Sequence, residues 1–412
     1  MKYRYARPII SSLLALSLAS PAFAGAGKPF ARARHKTTAA AASAPAGPPP
    51  VAPLAVAGVP APPELSQIPS YVLMDAQTGA VIAEKSPQTP WPPASLTKLM
   101  TAYLTYKALA RGTLKKDQDV PVSVAAWKTG GSRMFISPST TVDVDQLLHG
   151  LIIDSGNDAA VALAQAVAGT RSAFVALMND EAAKLHLTQT HYTNVSGLPD
   201  PALRTDALDT ALLSRAILTS FPQITRISSK KHYVFDKIRQ RSWNPVLFHD
   251  PTVDGLKTGR TDEAGHCIDA TAVRNGRRLI AVVMGGPSWT VSTQAIEALL
   301  DYGYRYYDNE TIVTADKPVG QLQNANLEPV TTPVGAAQDV LVTLPTAAAK
   351  TMKTTVALDG PFDNGVAKGM KVGMVTVTAG GKTLAAVPAV ALAPAKRASM
   401  LTKLMRRVHK YF

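Results

Sequence analysis

The sequence predicts an α+β protein, in which an antiparallel sheet carries helices on both faces, followed by a small all-β domain. Three observations predict this arrangement. A β-hairpin pattern is followed by a helical stretch, and three strand-like runs with a closing helix come after it. Beyond about residue 316, short Val/Thr-rich runs alternate with Gly and Pro and show no helical period. The 412 residues also suffice for two or three domains, at roughly 100–200 residues each.

The N-terminal 64 residues predict a signal peptide and a spacer. Several basic residues precede a short apolar run over 9–18, and the Pro-Ala-Phe-Ala sequence at 21–24 offers a small-residue cleavage site. Residues 1–24 are therefore predicted to be a cleaved secretory signal. The apolar run is shorter than the ~20 residues that a membrane-spanning helix needs. Residues 25–64 are rich in Ala, Pro and Gly, which predicts a disordered spacer because proline blocks helices and central strands.

Residues 65–315 are predicted to form the α+β domain. Two apolar runs around the turn at Gly79 predict a hairpin, and a helix is predicted from Ser95 to Gly112, because Gly commonly ends helices. The further predicted elements follow in chain order: helices over 146–153 and 158–167, strands over 253–258, 266–273 and 278–284, and a helix over 293–306. The Asn-Gly pair at 275–276 is a strong hairpin signal between the last two strands.

Residues 316–394 are predicted to be the all-β domain, and residues 395–412 an amphipathic helix. Apolar residues of this last segment repeat at helical spacing, and six basic residues with no acidic one fill the other face. Such a helix suits the surface of an anionic bilayer. The alternative is a helix that docks on the protein's own core.

The net charge of +14 does not indicate a nucleic-acid-binding protein. The segments 1–64 and 396–412 together hold 13 basic residues and one acidic residue, which leaves 30 basic and 28 acidic residues in between. A nucleic-acid-binding domain would carry its charge on the fold itself, so no nucleic-acid partner is expected. A single cysteine, Cys267, and eight histidines without ligand spacing predict no metal and no cofactor.

Three short motifs carry the candidate chemistry: Ser95-Leu96-Thr97-Lys98, Ser155-Gly156-Asn157 and Lys257-Thr258-Gly259. Each is weak alone, but the three in this order on a helix start, a turn and a strand form a specific set. Ser95 and Lys98 share a helical face, so Lys98 can take the proton of a nucleophilic Ser95 if burial and nearby positive charge lower its pKa.

The remaining motif residues are expected to serve binding and charge stabilisation. Ser155 is predicted to relay the proton of the leaving group, with Lys257 keeping the site positive. Asn157 is expected to orient a substrate carbonyl and Thr258 to bind a substrate carboxylate. Gly259 is expected to let a substrate backbone approach the strand edge. The backbone N–H groups of Ser95 and Arg260 are candidates for an oxyanion hole.

With these motifs, the chain resembles the low-molecular-weight penicillin-binding proteins of the D-alanyl-D-alanine carboxypeptidase type, serine peptidase family S11. The resemblance extends over about 65–395. Four stretches carry it, namely Pro93-Ala94-Ser95-Leu96-Thr97-Lys98-Leu99-Met100, Ser155-Gly156-Asn157-Asp158-Ala159, Thr193-Asn194 with Gly197-Leu198, and the run from Val253 through Lys257-Thr258-Gly259-Arg260 to Gly265. It implies a fold like that of the serine β-lactamases and transpeptidases.

The resemblance also implies a function. Such enzymes remove the terminal D-alanine from peptidoglycan pentapeptide stems through an acyl-serine intermediate, without a metal, and β-lactam antibiotics acylate them as covalent inhibitors. The family roles fall on Ser95 as nucleophile and Lys98 as base, with Ser155, Asn157 and Lys257 completing the other motifs. The expected location is periplasmic, on the outer face of the inner membrane, with attachment through the C-terminal helix.

The chain departs from the family pattern where a substrate carboxylate would lie. Arg260 follows the third motif in place of a frequent His, Trp243 stands where relatives often carry an Arg, and no Arg follows Gly285-Gly286 before Arg305. The hypothesis is that Arg260 supplies the missing positive charge. Three alternatives stay open: a β-lactamase, which would need a positioned Glu, a catalytically weak peptidoglycan-binding scaffold, and an endopeptidase acting on D-alanyl cross-links.

Overall fold

A computed structural model describes residues 59–346, 352–379 and 381–408. The predicted signal peptide and nearly all of the predicted spacer lie outside the described residues, as do the last four residues of the predicted C-terminal helix. Two regions of different architecture follow one another along the described chain. The first extends through residue 306 and the second begins at Tyr307.

The first region contains a five-stranded sheet, a two-stranded hairpin and eight helices among its described residues. Their bounds are β1 Ser70–Asp75, β2 Val81–Lys85, α1 Thr97–Ala110, α2 Val124–Trp127, α3 Val144–Ile152, α4 Asn157–Ala168, α5 Arg171–Lys184, α6 Ala207–Ser220, α7 Thr225–Ser228, β3 His232–Phe235, β4 Ile238–Arg241, β5 Val253–Thr261, β6 Gly265–Arg274, β7 Arg277–Gly286 and α8 Trp289–Tyr306. A short 3-10 helix, Ala94–Leu96, directly precedes α1 and is named the Ser95 turn.

The five-stranded sheet has the order β2-β1-β7-β6-β5, and every pair in it is antiparallel. Strand β5 is therefore an edge strand, and the Ser95 turn packs against it. This placement brings the third motif, on β5, against the first motif. The backbone groups on a free strand edge are available to another chain segment or to a ligand.

Side-chain alternation along the strands builds a separate core on each face of the sheet. On β1, Val72 and Met74 pack into the cluster formed with α1 and α3 to α6, whereas Tyr71 and Leu73 pack into the cluster formed with α8. All four are buried. Helices thus cover both faces, which is why the central strands are apolar on both sides.

The second region is all β apart from its last helix. Its elements are β8 Tyr307–Val313, β9 Pro318–Gln323, β10 Leu327–Glu328, β11 Thr331–Ala336, β12 Val340–Pro345, β13 Met352–Leu358, β14 Gly365–Val366, β15 Lys371–Ala379, β16 Lys382–Ala391, β17 Ala395–Arg397 and α9 Met400–Val408. A sheet of order β13-β15-β16-β11-β9 encloses a small Val-rich core together with the β12-β8 pair. Strand β8 belongs to this region, which therefore begins before residue 316.

Helix α9 turns its apolar side chains outward. Met400 is 84% exposed and Leu401 is 70% exposed, and Leu404, Met405 and Val408 are also exposed. Its polar side contacts the preceding β region, because Arg406 Nη1 donates to the carbonyls of Ala325, at 3.0 Å, and Leu327, at 2.8 Å. Within the described residues, α9 is not docked through its apolar face.

Within the described part of the chain, no single helix has the length and apolar run that crossing a bilayer requires. Helices α4 and α5, bent by 83°, meet that criterion only when taken as a pair.

Candidate active site

The first and third motifs meet where the Ser95 turn packs on strand β5. A Cβ atom placed on Gly259 would lie 2.9 Å from the Pro93 carbonyl oxygen and 3.0 Å from the Ser95 nitrogen. The strand thus contacts the backbone of the turn directly, and only glycine fits between them. From the sequence we expected Gly259 to let a substrate backbone approach the strand. In the structure, the Ser95 turn of the protein itself occupies the position that a side chain at residue 259 would take.

Lys98 lies beneath Ser95, one helical turn along. Its Nζ donates to Ser95 Oγ at 2.8 Å and to the Ser196 carbonyl oxygen at 2.7 Å. Burial holds the pKa of Lys98 well below its usual range, the charge of Lys257 lowers it further, and Asp158 opposes the shift. A lysine with a lowered pKa gives up its proton more readily, and its neutral form can act as a base on a neighbouring hydroxyl.

The second partner of Lys98, Ser196, did not emerge from the sequence as a site residue. Asn194 holds its segment, because Asn194 Oδ1 accepts from the backbone N–H groups of Ser196, at 3.1 Å, and Gly197, at 2.7 Å. Gly197 has φ +87°, and a Cβ there would lie 1.7 Å from the Ala94 carbonyl oxygen. The Asn194-to-Leu198 stretch was noticed only as part of the family resemblance, and its spacing alone gave no role.

The second motif follows α3 and opens α4. Ser155 has φ +58°, which turns the chain sharply between the two helices. Loop 130–132 holds the motif, because Asn157 Nδ2 donates to the Gly130 carbonyl at 2.7 Å and Ser132 Oγ donates to the Ser155 carbonyl at 2.7 Å. Asn157 Oδ1 is buried and has no hydrogen-bond partner among the described residues.

Asp158 anchors the loop that faces the second motif. Its fully buried carboxylate accepts four backbone N–H groups, from Met134, Phe135, Ile136 and Ala159. It lies in the first turn of α4, where the helix dipole favours a negative charge. The sequence gave no sign of this role, since the N–H groups come from a loop more than twenty residues earlier.

Lys257 on β5 is the second buried lysine of the site. It is 1% exposed, and its Nζ donates to the Thr258 carbonyl oxygen at 2.9 Å. Burial lowers the pKa of Lys257 to about 7, against the attraction of the Asp154 carboxylate. Thr258 is also buried. Since the charge of Lys257 lowers the pKa of Lys98, the structure brings the first and third motifs within electrostatic range.

Arg260 lies at the exposed edge of the site. Its side chain is 54% exposed and pairs with Asp262 at 3.1 Å. Both residues line an open cavity of about 390 Å³ together with Trp91 and His266. A role for Arg260 as the replacement for the family's arginines stays a prediction.

The described residues contain no group of three or more His, Cys, Asp and Glu side chains that could hold a metal ion. Cys267 is buried in β6, and burial raises the pKa of its thiol to about 12. A thiol that stays protonated at neutral pH is a poor nucleophile, so Cys267 is a packing residue.

Family models and known relatives match most of the chain. The family model for D-alanyl-D-alanine carboxypeptidase, peptidase S11, matches residues 59–288, and that of the penicillin-binding protein 5 C-terminal domain matches residues 307–397. The chain is 34% identical over 362 residues to D-alanyl-D-alanine carboxypeptidase DacC of Escherichia coli (strain K12), covering 83% of this chain and 89% of DacC.

Solved structures agree with this assignment. Penicillin-binding protein 5 from Haemophilus influenzae superposes with a TM-score of 0.76 at 32% identity, covering 82% of this chain and 100% of that one. Penicillin-binding protein D2 from Listeria monocytogenes, in its cefotaxime-bound form, gives a TM-score of 0.54 at 29% identity, covering 58% and 97%.

The S11 family model covers more than half of the chain, and the E. coli relative matches over most of both proteins. The predicted fold class is confirmed, with helices on both faces of an antiparallel sheet and an all-β region after it. The family resemblance that the three motifs predicted is also confirmed. The chain belongs to peptidase family S11, the serine-type D-alanyl-D-alanine carboxypeptidases.

Proposed function

We propose that this protein removes the terminal D-alanine from peptidoglycan pentapeptide stems, with Ser95 as the nucleophile and Lys98 as its base. The observation that carries the proposal is the 2.8 Å contact between Lys98 Nζ and Ser95 Oγ, made by a lysine whose pKa is well below its usual range. A serine hydroxyl is a weak nucleophile until a base takes its proton.

Acylation begins when neutral Lys98 takes the proton of Ser95 Oγ, which attacks the carbonyl carbon between the two D-alanines. The bond from Oγ to carbon forms, and the negative charge moves to the carbonyl oxygen. The backbone N–H groups of Ser95 and Arg260 would stabilise that charge, since Gly259 holds β5 against the Ser95 turn. Fixed donors of this kind are worth about 3–4 kcal/mol of barrier in serine hydrolases.

The leaving D-alanine takes the proton that Lys98 removed from Ser95 as the carbon–nitrogen bond breaks. Ser155 is the proposed relay, and Lys257 keeps this side of the site positive. Thr258 and Lys257 are the proposed partners of the substrate's terminal carboxylate. Water then attacks the acyl-serine, which releases the shortened stem and returns the proton to Ser95. Apart from the substrate and the water, every group in this scheme belongs to the chain itself.

β-Lactam antibiotics are proposed to acylate Ser95 in the same way. The structural relative from Listeria is described in a cefotaxime-bound form. The strained lactam amide would occupy the position of the D-Ala-D-Ala amide, and its carboxylate would lie towards Thr258 and Lys257. Acylation by a β-lactam therefore reports on Ser95 and Lys98 independently of stem binding.

The decisive test compares the mature protein with Ser95→Ala. We expect the wild type to release D-alanine from Nα,Nε-diacetyl-Lys-D-Ala-D-Ala and to bind a fluorescent penicillin covalently, and the Ser95→Ala variant to do neither. Exposed Ser139→Ala is the matched control, and it should keep both activities. D-Alanine release by a folded Ser95→Ala variant would refute the assignment of the nucleophile.

The three alternative functions differ from a carboxypeptidase in what they require or predict. A β-lactamase of the class that uses a Glu base needs that Glu near the acyl-serine. Glu181 is the only Glu between the second and third motifs. It pairs with Lys107 at 2.5 Å, and Lys107 lies nine residues along α1 from Lys98. A wild type that binds penicillin but releases no D-alanine would favour the scaffold alternative, and cleavage of cross-linked dimers would favour an endopeptidase.

The second part of the proposal places the protein in the periplasm, on the outer face of the inner membrane. Helix α9 supports attachment, because its apolar side chains are exposed while Arg406 fastens the helix to the β region. An apolar face with basic residues opposite it binds anionic bilayers through both apolar burial and charge. The β region would then separate the active site from the membrane.

Vesicle sedimentation tests this attachment. Deletion of 397–412 should move the protein from sedimented phosphatidylglycerol vesicles to the supernatant. The double variant Leu401→Gln, Leu404→Gln should have the same effect, because it removes apolar contact and leaves every charge. Thr402→Gln, on the face towards Glu328, is the control and should still sediment. Undiminished sedimentation of the deletion variant would exclude the helix as the anchor.

A further inference from the structure

The residue directly before Ser155 is a buried acid for which the proposed mechanism has no use. Asp154 is 1% exposed, and neither of its carboxylate oxygens has a hydrogen-bond partner among the described residues. A buried carboxylate that accepts no hydrogen bond is costly, so such groups call for an explanation. Its backbone is fixed, because the Trp243 indole N–H donates to the Asp154 carbonyl at 3.2 Å.

Three charged or titratable groups act on the Asp154 carboxyl from the elements around it. Lys257 comes from β5, Asp158 from α4 and Tyr233 from β3. Burial raises the pKa of Asp154 to about 7, the Asp158 charge raises it further, and Lys257 opposes the rise. The carboxyl and Lys257 therefore interact without forming a direct ion pair in the described structure.

The site contains two buried lysines that need opposite protonation states. Lys98 must be neutral to act as a base, whereas Lys257 must be charged to attract a carboxylate. Burial lowers the pKa of both. The charge of Asp158 raises the pKa of Lys98 and that of Asp154 raises the pKa of Lys257, and the Asp158 carboxylate is already satisfied by four backbone N–H groups. Asp154 has no such donors, so Lys257 is the main stabilising partner of its charge.

From this arrangement we infer that Asp154 is a positioning residue, which keeps the positive charge on Lys257 so that Lys98 is the lysine that gives up its proton. The inference rests on the proposed function, because it assigns roles to the same two lysines. It adds a residue outside all three motifs and explains why a buried acid stands beside the second one.

The proposed role of Asp154 predicts the direction in which the pH profile of activity should change. Activity requires neutral Lys98, which sets the acid limb of the profile, and charged Lys257, which sets the alkaline limb. Asp154→Asn removes the attraction that raises the pKa of Lys257, so the alkaline limb moves to lower pH. Lys98 then loses the neighbouring positive charge, its pKa rises, and the acid limb moves to higher pH.

The experiment measures the rate of acylation by a fluorescent penicillin from pH 5 to 10. For Asp154→Asn we expect the alkaline limb to shift to lower pH by about one unit or more, which is the usual effect of losing one opposite charge. Beyond that limb the acylation rate should be at least about tenfold below wild type. Asp180→Asn is the matched control, because it makes the same change at an exposed carboxylate on α5. Its limbs should stay where those of the wild type lie.

Three results would overturn the inference. They are unchanged limbs in Asp154→Asn, a uniform loss of rate at every pH, and an equal limb shift in Asp180→Asn. Infrared titration of the unliganded protein adds a readout that needs no activity. Burial also raises the pKa of Asp206 to about 7, so the readout is the difference between wild type and Asp154→Asn. That difference should contain one carboxyl band that titrates near pH 7, and its absence would also overturn the inference. Failure of wild type to bind penicillin would instead refute the proposed function.

Discussion

At the scale of single residues, two glycines set the position of the nucleophile. Gly197 and Gly259 approach the Ser95 turn from different segments, and at each a Cβ atom would contact the backbone of residues 93–95. Backbone atoms cannot rotate away as a flexible side chain can. The turn is therefore held between the two glycines, which explains how a partly exposed Ser95 stays aligned with Lys98.

Gly259→Ala should consequently damage catalysis more than stability. The new methyl group would lie 2.9 Å from the Pro93 carbonyl oxygen and 3.0 Å from the Ser95 nitrogen, so the turn must move away from β5. Overpacking of this kind costs about 1–3 kcal/mol of stability. A displacement of the reacting groups by ~1 Å lowers kcat/KM about 100-fold. Thermal unfolding and D-alanine release measure the two effects.

Gly360→Ala is the control for that substitution. Gly360 lies in the β region with nothing within 4 Å of its would-be Cβ, so both quantities should stay close to wild type. If Gly259→Ala kept wild-type kcat/KM, the close packing between β5 and the Ser95 turn would not be what aligns the nucleophile.

At the scale of elements, the sequence predicted the central sheet well. The three strands and the helix after them were expected within a few residues of β5, β6, β7 and α8. Their signals are local, since apolar runs and an Asn-Gly turn suffice to define them. The predicted helix at Ser95 differs in its start, because Ala94–Leu96 forms a 3-10 turn and α1 begins at Thr97. Contacts with Gly197 and Gly259 bend this turn, and they are not visible in local sequence.

The hairpin β3-β4 could not be predicted from the sequence pattern. Its two short strands, His232–Phe235 and Ile238–Arg241, carry several charged residues and little alternation, so the sequence gave no strand signal. Ser196 and Asp158 were missed as site residues for a related reason. Their partners, Lys98 and loop 134–136, lie 98 and more than twenty residues away. Motifs identify groups that react, whereas the groups that hold them depend on the fold.

At the scale of the whole molecule, one arginine joins the sheet to the β region. Arg277 on β7 donates from Nε to Asp75 at 2.9 Å, and its Nη1 donates to the carbonyls of Gly303, at 3.1 Å, and Tyr307, at 2.5 Å. It thus connects β1, the end of α8 and the start of β8. The pair is buried, and it lies at the opposite end of the strands from Arg260 and His266.

Arg277→Leu should therefore destabilise the protein without changing the active site. The substitution leaves Asp75 as a buried charge without its cation, which typically costs about 3–5 kcal/mol. The remaining donors to Asp75 favour the lower end of that range, since the backbone N–H groups of Gln77 and Thr78 and the Thr78 hydroxyl still reach it. Gly259, which contacts the Ser95 turn, pairs with Cys267, and Arg277 pairs with Arg274, so about 24 Å of strand separates the two positions. The penicillin acylation rate of the folded protein should therefore match wild type while the unfolding midpoint in urea falls.

Arg274→Leu is the control that distinguishes the effect of burial at Arg277 from the effect of losing any arginine. Arg274 lies on the same β6-β7 hairpin and pairs with Asp250 at 2.8 Å and Asp301 at 2.7 Å, but it is partly exposed, so its loss should cost no more than about 1 kcal/mol. Equal destabilisation by the two variants would mean that burial at the junction adds nothing. A slower acylation rate in folded Arg277→Leu would mean that the junction is coupled to the active site through the sheet, and the β region would then affect catalysis as well as stability.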